Sequence, residues 1–115
     1  MTFNEFADKN IGKIYSYREF DCEYIVIEGL KEIYDITVNK LVTSDLLECD
    51  KSEAIMFICE DKKGTQCHTG LYDRGVYLHA VGSPFQEGQV FAHTNSFFNR
   101  VFVKQYSKVR FYKWR

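Results

Sequence analysis

Residues 65–81 read Thr65-Gln66-Cys67-His68-Thr69-Gly70-Leu71-Tyr72-Asp73-Arg74-Gly75-Val76-Tyr77-Leu78-His79-Ala80-Val81. Two β-prone runs, 65–72 and 76–81, flank Asp73-Arg74-Gly75, a tight-turn signal, so the stretch is predicted to be a β-hairpin. Closure near Arg74 brings positions 68 and 79 close to opposite one another. Side chains on facing positions of paired strands point the same way and can touch, and both positions are histidine. Gly82-Ser83-Pro84 breaks the second run.

Strands extend outward on both sides. Ala54-Ile55-Met56-Phe57-Ile58-Cys59 is a continuous apolar run suited to a buried strand, and Asp61-Lys62-Lys63-Gly64 turns it into the hairpin. Two further strands are expected near residues 89–92 and 109–114, which makes a mainly antiparallel sheet of about five strands. The third histidine, His93, falls after the first of these and reads as a surface or loop residue.

Upstream the period changes to that of a helix. Asp21 is a good N-cap, because its carboxylate can accept from the open amides of a first turn. Cys22, Ile25, Val26, Gly29, Leu30 and Ile33 then form an apolar stripe, with Glu23, Glu28, Lys31 and Glu32 mostly off it. The helix should stop near Tyr34-Asp35, before the β-branched run Ile36-Thr37-Val38. A short helix over residues 2–9 follows from the spacing of Phe3, Phe6 and Ala7, and Ile11-Gly12-Lys13 reads as a loop. Helix first and antiparallel meander second is an α+β arrangement, in a single domain spanning residues 1–115.

Bulk composition fits that plan. The chain has 115 residues, 45% apolar and 17% aromatic, enough for one core and biased toward sheet. A net charge of −1 gives no global field toward nucleic acid. The charge is lopsided: Arg100, Lys104, Lys108, Arg110, Lys113 and Arg115 follow Glu87 with no acidic residue among them. A solvated basic face is the plain reading, and a docking edge for an anionic polymer or partner is the sharper one. No apolar run has the length of a membrane span. The N-terminus lacks the basic and apolar regions of a signal peptide, so cytoplasmic synthesis without a cleaved leader is expected. The four cysteines, at 22, 49, 59 and 67, contain no Cys-x-x-Cys pair and are expected to be free thiols.

Cys22 occupies the first turn of the predicted helix, where the open amides and the helix dipole favour a thiolate. An imidazole beside such a thiol can take its proton, and a second imidazole can orient the first through its other ring nitrogen. Cys22, His68 and His79 supply this set. They could also be three zinc ligands with an open fourth position, although the gap from Cys22 to His68 is not a recognised metal spacing. Cys59 and Cys67 read as buried strand residues.

These motifs resemble the NlpC-type cell-wall peptidases, papain-like enzymes that cut the peptide stems of peptidoglycan. In that family a Phe-Asp-Cys step opens the catalytic helix, here Phe20-Asp21-Cys22 followed by Ile25-Val26, and Tyr34-Asp35-Ile36 fills the slot where the helix ends. The second family motif, His-Val-Gly-Ile-Tyr, is matched by His68-Thr69-Gly70-Leu71-Tyr72. The third, an apolar pair before His-Ala, is matched by Tyr77-Leu78-His79-Ala80. Val109-Arg110-Phe111-Tyr112-Lys113 is similar to the last strand of the phage tail-associated branch. The similarity runs from about Ile11 to the C-terminus.

The resemblance implies a papain-like fold in which Cys22 is the nucleophile, His68 the general base and His79 the residue that orients His68. It also implies a tyrosine near the oxyanion, either Tyr15 or Tyr17. No cofactor or metal is expected. The implied partners are peptidoglycan stems and other phage tail proteins, with location in the virion and neither nucleic acid nor a membrane span involved. The chain departs from the family pattern where Glu23 and Tyr24 replace a small residue or Trp and then Gly. The bulk of Tyr24 is expected to narrow the cleft or change the substrate, and Glu23 to oppose the thiolate if its carboxylate turns inward. Ser52-Glu53 stands where the family has Gly-Asp. An acyltransferase of the same thiol chemistry and a non-enzymatic structural domain of a tail or other assembly are the competing readings.

Overall fold

The structure, a computed structural model, describes residues 1–15, 22–83 and 86–115. Helix α1 (Phe3–Asn10) begins with a capping box. The Thr2 hydroxyl accepts from the Glu5 amide and the Glu5 carboxylate accepts from the Thr2 amide, both at 3.1 Å. Helix α2 (Cys22–Tyr34) buries Ile25, Val26, Gly29 and Leu30, the stripe expected from the sequence. It ends where Asp35 enters the left-handed region at φ 58°. The Ile36 amide there donates back to the Leu30 carbonyl at 3.0 Å. Asp21, the expected N-cap, lies outside the described residues.

The fold is α+β, and its strands are β1 (Ile14–Tyr15), β2 (Leu46–Glu48), β3 (Met56–Glu60), β4 (Gln66–Asp73), β5 (Val76–Ser83), β6 (Gln86–Thr94) and β7 (Lys108–Trp114). They form one sheet in the order β1-β6-β5-β4-β3-β7-β2, and every pair is antiparallel. Among the described residues the sheet thus has seven strands where about five were expected. The two additional ones, of two and three residues, are edge strands too short to carry a period.

A further helix, α3 (Asn95–Val101), follows β6 and was not expected from the sequence. The Thr94 hydroxyl caps it by accepting from the Phe97 amide at 3.3 Å.

The sheet separates two cores. On one face Met56, Ile58, Leu71, Leu78 and Val90 pack against α1 and α2. Gly29 permits the close approach there: a Cβ at that position would run into the Leu71 side chain. On the other face Phe57, Cys59, Tyr72 and Tyr77 pack against Phe98 of α3 and Phe102 just beyond it. Tyr77 and Phe98 stack face to face, 3.8 Å between centroids and 1° from parallel.

The basic C-terminal stretch is partly neutralised within the fold. Arg110 Nε lies 2.8 Å from Glu60 and its Nη1 lies 3.1 Å from Glu48. Lys113 approaches Glu53 at 3.4 Å. The uniform basic edge allowed by the sequence is therefore broken by acidic partners on β2, on β3 and in the turn before β3. Among the described residues no helix is long and apolar enough to cross a membrane.

Candidate active site

Three strands of the sheet bring the chain's three histidines into one line. Leu71 pairs with Leu78 across the β4–β5 hairpin. Continuing that register by one residue sets Gly70 opposite His79, with His68 two positions further along the same face of β4. The two histidines are thus diagonal neighbours rather than directly facing ones. A Cβ at Gly70 would lie 2.6 Å from the Phe57 ring and 2.7 Å from the Leu78 carbonyl oxygen. Glycine is required here by close approach, because neither backbone nor packed ring can yield cheaply.

His68 Nε2 and His79 Nδ1 are 2.8 Å apart. The other nitrogen of His79, Nε2, is 2.8 Å from His93 Nδ1. His93 is therefore not a loop residue. It lies on β6, paired with Tyr77, and its half-buried ring is held between Phe97 at 4.4 Å and Phe91 at 5.3 Å. The signal was present in the alternation: extending β6 past Ala92 puts residue 93 on the face of Tyr77 and His79.

His79 is fully buried. The edges and faces of Phe57, Phe98 and Phe102 surround it at centroid distances of 5.8, 5.7 and 5.2 Å. Tyr106 stacks on His68 at 6.0 Å and 4°. This apolar casing sets the protonation state. Burial lowers the pKa of His68 to about 4. It lowers that of His79 further, with the neighbouring His68 and His93 adding to the shift, and it lowers that of His93 in the same direction. These shifts all favour the neutral imidazole, the form that can accept a proton.

Cys22 and His68 line the same cleft, a hollow of about 230 Å³ whose wall also includes Glu23, Leu41, Gln66 and Cys67. The body of α2 covers the aliphatic face of the sheet, while His68, paired with Cys59 and in ring contact with Phe57 and Tyr106, belongs to the aromatic one, so Cys22 and His68 share a cleft at the start of β4 rather than meeting across a face. The pKa of the Tyr106 hydroxyl, whose ring stacks on His68, is pushed far up, mainly by burial.

The remaining thiols differ from Cys22 and from one another. Cys59 is fully buried, and burial drives its pKa far upward. Cys67 was expected to be buried in a strand but is exposed. The β3–β4 register slips by one residue between the Cys59–His68 and Glu60–Gln66 pairs, and Cys67 falls in that slip. Its thiol donates to the Cys59 carbonyl at 3.5 Å. Partial burial raises the pKa values of Cys67 and Cys49 alike.

Glu23 lines the cleft, and its carboxylate accepts from the Leu41 amide at 2.8 Å. Tyr24, expected to narrow the cleft, lines a separate hollow with Glu28, Lys31 and Val38. Of the two oxyanion candidates, Tyr17 lies outside the described residues, and only the backbone of Tyr15 is described, on β1 opposite Gly88.

A zinc site would need several lone pairs converging on one point, whereas the histidine nitrogens face each other at hydrogen-bond distance. Among the described residues no group of three or more His, Cys, Asp or Glu side chains is placed to hold a metal ion. Comparison of the chain with models of protein families, with curated proteins and with solved structures found no match.

Proposed function

We propose that the protein is a thiol hydrolase of the papain-like NlpC type, acting on the peptide stems of peptidoglycan. The observation that carries this reading is the shared cleft: Cys22, at the first residue of α2, lines it together with His68, whose outer ring nitrogen is held by His79. The motif resemblance supplies the substrate class.

In this reading His68 Nδ1 takes the Cys22 proton as the sulfur attacks the amide carbonyl. The same proton then passes to the leaving amine, which departs as the thioester forms. Water, deprotonated by His68, releases the carboxylate and restores the thiol. Neutral His68 is the form that can take the thiol proton. We also place the protein in a phage tail, on the likeness of residues 109–113 to that branch; its presence in purified particles checks this.

Digestion of purified cell-wall sacculi, read by mass spectrometry of released fragments, tests the activity. Wild-type protein should release peptide fragments and Cys22→Ala none. One feature favours the structural-domain reading instead: Glu23 puts a carboxylate in the wall of the same cleft. Folded wild-type protein that releases nothing would select that reading, and modification of an acyl acceptor without wall cleavage would select acyl transfer.

A further inference from the structure

The tautomers of the three histidines are coupled. His79 is neutral and carries one ring proton, yet both of its nitrogens are in hydrogen bonds, at 2.8 Å to His68 Nε2 and 2.8 Å to His93 Nδ1. Each bond needs one hydrogen. If His79 carries its proton on Nε2, it donates to His93 Nδ1 and must accept from His68 Nε2–H. If it carries the proton on Nδ1, both bonds reverse. For neutral rings no third arrangement satisfies both contacts, so the protonation of His93 and that of His68 are set together through His79.

The choice between the two matters for the cleft. His68 Nε2 is taken up by His79, which leaves Nδ1 as the only ring nitrogen able to receive a proton from Cys22. Nδ1 is bare only when His68 carries its proton on Nε2. We infer that His93 is a fourth member of the site, after Cys22, His68 and His79: a positioning residue whose Nδ1 accepts from His79 Nε2–H and thereby keeps the His68 proton on Nε2. This rests on the reading of Cys22 and His68 as nucleophile and base, but the tautomer pattern can be measured without it.

The aromatic casing fits the role. The His93 ring is stacked at 22° on Phe97 and at 12° on Phe91, with Phe102 5.2 Å away. These contacts fix the ring plane and leave the Nδ1 edge aimed at His79. A phenylalanine at position 93 keeps the stacking and loses only the acceptor. An asparagine places an amide oxygen near the Nδ1 position and restores it.

The test uses the full chain labelled with ¹⁵N-histidine, read by long-range proton–nitrogen correlation at pH 7. Three Nε2–H tautomers are expected in the wild type. A proton on Nδ1 of His79 would overturn the inference. In His93→Phe the single Nε2–H pattern of His79 and His68 should give way to mixed tautomers, and His93→Asn should recover it; an unchanged pattern in His93→Phe would also overturn it. The rate of Cys22 alkylation by iodoacetamide should fall about tenfold in His93→Phe, by analogy with the roughly 10–100-fold losses on removing a group that orients a metal-bound histidine, and recover in His93→Asn. An unchanged rate would contradict the role. Thermal melts of the variants separate these effects from unfolding, and if His93→Phe does not fold the wild-type spectrum decides alone. Three Nε2–H tautomers beside an unreactive wild-type Cys22 would uphold the hydrogen-bond chain while refuting the nucleophile reading.

Discussion

The two faces of the sheet are built from different chemistry. The face against α1 and α2 is almost wholly aliphatic at its centre: Ile25, Val26 and Leu30 from the helix meet Ile58, Leu71 and Leu78 from the strands. The face against α3 is aromatic, and the buried His79 lies among its rings. The first face holds the fold by burial of apolar area, which is tolerant of chemistry but not of lost volume. The second holds three imidazoles, His79 fully and His68 and His93 partly buried, whose desolvation is offset because each finds a partner. One sheet thus divides the labour, and substitutions on its two sides should have separable consequences.

The largest effect on stability is expected on the aliphatic side. Leu71→Ala leaves a cavity beneath Gly29 and should cost about 2–5 kcal/mol in chemical denaturation. Below the unfolding transition, its Cys22 alkylation rate should remain that of the wild type. A large loss of Cys22 reactivity in folded Leu71→Ala would break the division.

On the aromatic side, His79→Leu fills similar volume but strips His68 Nε2 and His93 Nδ1 of their shared partner. The expected cost is about 1–3 kcal/mol, typical of polar groups left without a hydrogen bond, together with a clear loss of Cys22 reactivity. Retained reactivity would remove His79 from the account.

Acid should find the same side first. His68 has a pKa of about 4 in the folded protein against an ordinary 6.5, and His79 is shifted in the same direction. Between those values the unfolded chain binds protons that the folded chain refuses. Stability should therefore fall as the pH drops from 6.5 toward 4, then change little on account of His68 below that. Denaturation midpoints across this range check the slope, and replacing His68 by Gln should flatten it. The smallest effect is expected at the rim: Lys113→Ala removes an exposed contact with Glu53 and should shift stability by less than about 1 kcal/mol.

How much of this could be read in advance also differs by face. The aliphatic side was legible, because Ile25, Val26, Gly29 and Leu30 keep a helical period and Met56 to Cys59 form an unbroken apolar run. The hairpin and its two histidines were legible from the turn at Asp73-Arg74-Gly75. On the aromatic side, strand β6 was expected to stop at Ala92, which hid His93, although Thr94 followed by Phe97, Phe98 and Phe102 signals a capped helix starting just beyond. The exposure of Cys67 was not legible. It depends on a one-residue slip between two strands, set by tertiary pairing rather than by local pattern. Strands β1 and β2, at two and three residues, take their structure from the strands they pair with.

The most direct measurement compares the four thiols of the native protein under limiting iodoacetamide at pH 7, by peptide mass spectrometry, in wild type and in His68→Ala. Cys67 is the internal standard, being exposed but without an imidazole partner in any described contact. Cys22, although half-buried, should label first in the wild type, ahead of Cys67 and Cys49, with Cys59 last. In His68→Ala the Cys22 rate should drop about tenfold or more, to that of an ordinary thiol or below, while Cys67 is unchanged. Labelling of Cys22 no faster than Cys67 in the wild type, or a Cys22 rate indifferent to His68, would contradict the pairing of nucleophile and base on which the account rests.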